Sequence, residues 1–205
     1  MPKIVDHDIR REEIAKIVRD LVIAEGVESA SFRGICRAGG FSTGVLSYYF
    51  ENQEDLMRYV FVWHTKQLED RLRALVTHLE SDGPSRFSEV LWSLMPGGPN
   101  LSSANDVYFS SELWRFMMLR PHMLDQMRAA YAPVQALTAQ AVQIASGLPA
   151  DQAATVALFV QAAIDGNFIH QRAGLIGPDQ AGTMVEHLTR YVLSCGTDSK
   201  NGNTK

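Results

Sequence analysis

One stretch, Gly39-Gly40-Phe41-Ser42-Thr43-Gly44, constrains the fold of this chain more than any other. Two adjacent glycines end a helix, and a serine just after them can cap the next one, so the stretch joins two helices by a tight turn. Ser31 is placed to cap the preceding helix, whose apolar side would carry Phe32, Ile35 and Cys36 or Ala38. After Ser42, the residues Leu46, Tyr49 and Phe50 fall at i, i+3 and i+4, the spacing of one helix face. Upstream, Ile14, Ile17, Val18, Leu21 and Val22 predict a first helix from Asp8 to Ala24, with Gly26 placed to end it. With Leu46 and Phe50 turned inward as anchors, Thr43, Ser47 and Tyr48 face outward. Gly44 removes a side chain where a helix backbone would come close to a duplex.

The charge pattern permits a nucleic-acid partner without requiring one. The 205-residue chain has a formal net charge of −4, which on its own argues against phosphate binding. Between Ser31 and Phe50, however, Arg33 and Arg37 are the side chains charged at neutral pH, and no acid occurs. The segment is a positive island in an acidic protein. Hydrophobic residues at 46% and charged residues at 20% describe a globular chain, so disorder is expected only at the ends.

The remainder reads as a helical body. Helices are expected over 52–78, 86–95, 107–119, 121–144, 151–171 and 178–193, with a breaker-rich loop at 96–106 and a kink or restart at Pro133. Strand signals are almost absent, giving an all-α class with domains at 1–51 and 52–195 and a flexible tail at 196–205. Between Ala129 and Ile164 the one charged residue is Asp151, so these helices are expected to be covered on more than one side, economically by a second subunit. Trp92, Trp114, Phe116, Met118, Tyr131, Phe159, Asn167, Phe168 and His170 fall on separate helices that could converge on a small-molecule cavity or simply fill a core. Asp165 or Glu112 could face a cationic ligand there, and a neutral aromatic or acyl compound is the alternative.

Several classes are set aside. The GGFSTG stretch lacks the lysine of a phosphate-cradling loop, and neither GxSxG nor HExxH occurs, so no enzyme is expected. The histidines show no close metal-ligand spacing, and neither a metal nor another cofactor is expected. Cys36 and Cys195 form no CxxC pair, which fits a reduced, cytoplasmic setting; Cys36 reads as an inert small residue and Cys195 as exposed. No apolar run approaches the length of a membrane span, and Met1 to Arg11 lacks the apolar middle of a signal peptide.

Over Ile14–Leu56 the chain resembles the TetR family of transcriptional regulators. Gly26, Ile35, the Ala38-Gly39-Gly40-Phe41-Ser42 turn, Gly44, Leu46 and the Tyr49-Phe50 pair match that family's pattern in order and spacing. The resemblance implies a three-helix DNA-binding head with a helix-turn-helix, followed by a larger ligand-binding and dimerisation body. It implies that Ser42, Thr43, Gly44 and Val45 lie nearest base edges, and that Ser47, Tyr48 and Tyr49 meet phosphates. Ser31, Arg33, Arg37 and Gln53 complete the expected DNA-binding set. Two departures stand out: Gln53 occupies a position that is commonly a phosphate-approaching lysine, and Gly34 one that is often polar or acidic. The function implied is a homodimeric repressor on a pseudo-palindromic operator, released by a small-molecule effector. A helical scaffold or partner-binding protein that kept the head without operator function is the alternative.

Overall fold

The computed structural model describes residues 7–95 and 104–201. All of their regular structure is helical: α1 His7–Glu25, α2 Phe32–Gly39, α3 Thr43–Tyr49, α4 Gln53–Asp82, α5 Phe87–Leu94, α6 Ala104–Met118, α7 Leu124–Ser146, α8 Ala150–Arg172 and α9 Pro178–Asn201, with short 3₁₀ turns before α2, α5 and α7. The described residues divide into two compact units. One holds those up to Lys66 together with Tyr108–Ala130, and the other holds the rest.

In the first unit, local chemistry sets each helix end. The Ser31 hydroxyl accepts from the Gly34 N–H at 3.2 Å, and the Ser42 hydroxyl accepts from the Val45 N–H at 3.3 Å, so each serine satisfies one of the orphan donors at a helix start. Gly40 closes α2 in the left-handed conformation at φ 66°. Gly34 is fixed by space instead. A Cβ there would lie 2.1 Å from the Ser29 carbonyl oxygen, so α2 can sit against the Val27–Ser29 turn only with glycine at this position. The departure from a polar or acidic residue at this position is a packing requirement.

The core of this unit joins Ile14, Val18 and Val22 of α1, Ile35 of α2, Leu46 of α3 and Phe50 to Leu56, Val60 and Phe61 of α4. Phe109, Leu113, Phe116 and Met117 of α6 belong to the same core. This compact unit runs past residue 51: three short helices do not enclose enough apolar surface, and the start of α4 with most of α6 adds to it. Two polar devices tie α4 in. The Arg11 guanidinium lies 4.7 Å from the Phe50 ring centroid and 4.3 Å from that of Tyr59. Glu54 receives His122 Nε2 at 2.8 Å and Arg120 Nε at 3.2 Å, and these partners hold its carboxyl below the usual range.

In the second unit, Leu72, Val76 and Leu79 of α4, Phe87 and Leu91 of α5, Val134 and Ala141 of α7, Val160 and Ile164 of α8, and Val185 and Val192 of α9 form a second core. Helix α7 runs unbroken through Pro133, so it does not restart there. The loop expected at 96–106 lies mostly outside the described residues, and α6 begins at Ala104. The tail expected from residue 196 is corrected, because α9 continues to Asn201. At Gly196 a Cβ would fall 1.6 Å from the Ser146 carbonyl oxygen, so α9 passes in backbone contact with the end of α7. Cys195 is half-buried against this core rather than exposed, while Cys36 is buried in the first unit.

Candidate functional site

Helix α3 is held from one side only. Leu46 is fully buried and Phe50 follows it inward, whereas Thr43, Gly44, Val45, Ser47 and Tyr48 are all exposed, Tyr48 at 74%. Gly44 contrasts with Gly34. A Cβ at Gly44 would meet nothing closer than the Ser42 hydroxyl at 3.8 Å, and its backbone is helical. The chain itself gives no steric reason for a glycine that costs about 1 kcal/mol of helix propensity relative to alanine.

Arg33 and Arg37 are exposed on α2. Arg33 makes no ion pair among the described residues, and Arg37 reaches Glu25 at 3.3 Å in a solvent-exposed pair that is readily exchanged for another anion. Ser31 and Ser42 use their hydroxyls as caps while remaining exposed. Tyr49 is half-buried, with its ring 5.0 Å from Tyr48 and 4.9 Å from the His7 ring. It stands further from the open face than its position in the motif suggests. Gln53 is half-buried, and its side-chain amide donates to the Ala30 carbonyl at 3.0 Å, which braces the start of α4 against the α2 approach. His7, which sequence reasoning did not single out, packs its ring edge-on to Tyr48 and tilted against Tyr49 of α3. Nothing local in the sequence signals a contact spanning some forty residues.

Of the nine body residues, three lie in the first unit and six in the second. Trp114, Phe116 and Met118 belong to the first. Phe116 is buried in its core with Arg120 over the ring at 3.5 Å, Trp114 packs edge-on to Phe61, and Met118 is exposed. The physical reason is that α6 spends its apolar face on the head core. Trp92, Tyr131, Phe159, Asn167, Phe168 and His170 belong to the second. Trp92 packs beside Gly182, and His170 is exposed. Phe159 is 55% exposed, edge-on to Tyr191 at 5.4 Å. The Asn167 amide donates to the Met95 sulfur at 3.1 Å, and its buried carbonyl oxygen has no partner. Tyr131 and Gln161 meet at 2.5 Å, and Asp165 is near enough to raise the tyrosine's pKa, although burial is the larger cause. Glu112 is engaged by Arg115 at 3.0 Å. Among the described residues no group of three or more His, Cys, Asp or Glu could hold a metal ion, and no helix is long and apolar enough to cross a membrane.

No protein-family model matches the chain. Full-length relatives do. The chain is 26% identical over 195 residues to the HTH-type transcriptional regulator BetI of Klebsiella pneumoniae, an alignment covering 94% of this chain and 96% of that one. Among solved structures, a transcriptional regulator from Rhodococcus sp. Rha1 superimposes with TM-score 0.71 at 18% identity, covering 90% of this chain and 96% of the other. A putative transcriptional regulator from Saccharomonospora viridis, solved in complex with choline, superimposes with TM-score 0.68 at 19% identity, covering 90% and 94%. The relatives are regulators rather than enzymes, and the helix-turn-helix head followed by a larger helical region is their architecture. With the capped α2–α3 pair, the open face of α3 and a relative aligned from end to end at 26% identity, the chain is similar throughout to HTH-type transcriptional regulators, and a solved putative TetR-family regulator from Mesorhizobium loti shares its fold.

Proposed function

We propose that the protein is a homodimeric, ligand-responsive transcriptional repressor that reads a pseudo-palindromic operator by placing α3 in the major groove. The observation that carries this reading is Gly44: an exposed helical glycine with no neighbour to avoid, in a face of Thr43, Val45, Ser47 and Tyr48 that carries no acid. A partner approaching that backbone closely is the remaining reason for it. Thr43 and Val45 would meet base edges, Ser47 and Tyr48 the phosphates, and Arg33 and Arg37 would supply the salt-dependent part of binding.

Two heads on successive major grooves require a dimer with recognition helices about 34–36 Å, or a multiple of a helical turn, apart. The outer faces of α8 and α9 support one, since Leu158, Phe159 and Ile169 on α8 and Tyr191 on α9 are exposed apolar residues. An effector in the body would weaken operator binding through unequal affinity for two arrangements of the dimer, a coupling of about 1–3 kcal/mol. Choline in the Saccharomonospora viridis structure supports a cationic class of effector. Retention of random duplexes on the protein, followed by sequencing, tests the reading: an enriched pseudo-palindrome is expected. Absence of any enriched motif at moderate salt would leave a helical scaffold that kept the head without operator function.

A further inference from the structure

Helices α7 and α8 are joined by the short turn at Gly147 and pack with a groove of about 240 Å³ between them. Its walls include Ala136 and Ala139 of α7 and Ala154, Ala157 and Leu158 of α8, so it is small-residue and apolar for most of its length. Gln161 ends this lining and is 6% exposed. Its Nε2 donates to the Tyr131 hydroxyl, while its buried Oε1 has no hydrogen-bond partner. One helical turn further on, on the same side of α8, Asp165 is part-buried. Among the described residues its carboxylate has no hydrogen bond and no ion pair. Burial alone, with no offsetting cation, governs its ionisation.

An unpaired buried carbonyl oxygen and an uncompensated carboxylate on one side of a helix, at the end of an apolar groove, both lack the same thing: a positively charged N–H donor. We propose that this end of the α7–α8 groove binds an organic cation bearing N–H donors, such as an alkylammonium, with its apolar part along the alanines. A quaternary ammonium could answer the charge of Asp165 but has no hydrogen for Gln161 Oε1, so the site should separate the two classes of cation. The proposal deepens the effector reading above, and rests on it only for the consequence that occupancy alters operator affinity.

The test is isothermal titration of the full chain with hexylamine, hexyltrimethylammonium and hexanol, which share a tail and differ in the head. Mildly alkaline pH keeps Asp165 ionised and hexylamine protonated. Hexylamine is expected to bind roughly tenfold or more tighter than either of the others. Asp165→Asn should remove most of that preference while leaving hexanol unchanged. Ala136→Phe, at an exposed position of the groove wall, should weaken hexylamine without touching the polar end. Equal affinity for the three compounds, no binding of any, or an unaltered preference in Asp165→Asn would overturn the proposal. Loss of hexylamine binding as the protein dimerises would overturn it too, by showing that a second copy fills the groove. An operator motif enriched by a protein that shows none of these preferences would sink this site alone and leave the regulator reading standing.

Discussion

The outer face of α3 and the outer face of α8 are both exposed, yet they are built in opposite ways. On α3 the exposed positions are mostly small or polar, with Gly44 and Ser47 beside Thr43; Val45 is the apolar exception, and Tyr48 offers a hydroxyl at the end of a ring. On α8 the large exposed side chains of the middle and last turns include apolar ones, with Leu158 at 60% and Ile169 at 62% exposure beside Phe159. A face made of hydrogen-bonding groups and bare backbone suits a hydrated, charged, grooved partner. An aliphatic and aromatic face suits a partner that removes it from water. The difference teaches that exposure alone does not define a site; what each face leaves unsatisfied does.

The two glycines of the head break the comparison most sharply if it is wrong. Gly34→Ala forces a Cβ to within 2.1 Å of the Ser29 carbonyl oxygen and should destabilise the head by about 3 kcal/mol, seen as a lower melting temperature by circular dichroism. Gly44→Ala should leave stability unchanged or raise it by up to about 1 kcal/mol, and should abolish operator protection in a footprint. Full binding by Gly44→Ala would remove the close-approach argument. On the other face, Leu158→Glu should raise the dimer dissociation constant about a hundredfold, read by sedimentation velocity across a dilution series, with the fold intact. An undiminished dimer would place the interface elsewhere.

Smaller effects sharpen the contrast. Gln53→Ala should cost about 1 kcal/mol of stability through its bond to the Ala30 carbonyl, and leave the salt dependence of operator binding unchanged. A shallower salt slope would return Gln53 to the phosphates. The smallest change concerns Asp165, whose carboxyl burial pushes up to about 6. Because its folded pKa lies above the ordinary carboxylate value, its contribution to stability is full in acid and is lost as pH rises to about 6, with no further change above that. Partial exposure and solvent screening keep the effect small. Melting curves across this range should show a downward drift that Asp165→Asn removes; an identical drift in the variant would assign it to other groups.

The features legible in the sequence were those whose partners lie within one turn. Ser31 and Ser42 cap donors three residues ahead, and the Gly39-Gly40 stop and the Leu46–Phe50 anchor are spaced by the helix itself. What escaped was set by distance along the chain. Gln53 finds its acceptor twenty-three residues away, and Gly34 is excluded from having a side chain by a turn that periodicity does not place. Trp114 and Phe116, which the sequence groups with the body aromatics, pack in the core of the head. The polar composition after residue 195 hid a helix whose course depends on one glycine against Ser146.

The guanidinium of Arg11 lies against Phe50, which follows the last turn of α3, and against Tyr59 in α4. A residue of the first helix thereby fixes the angle at which the third leaves and the fourth begins, before any duplex is present. On the proposed reading, a head braced in this way would meet DNA close to rigidly: little conformational entropy would be lost, association would be limited by encounter and orientation, and a wrong base pair would find a surface slow to accommodate it.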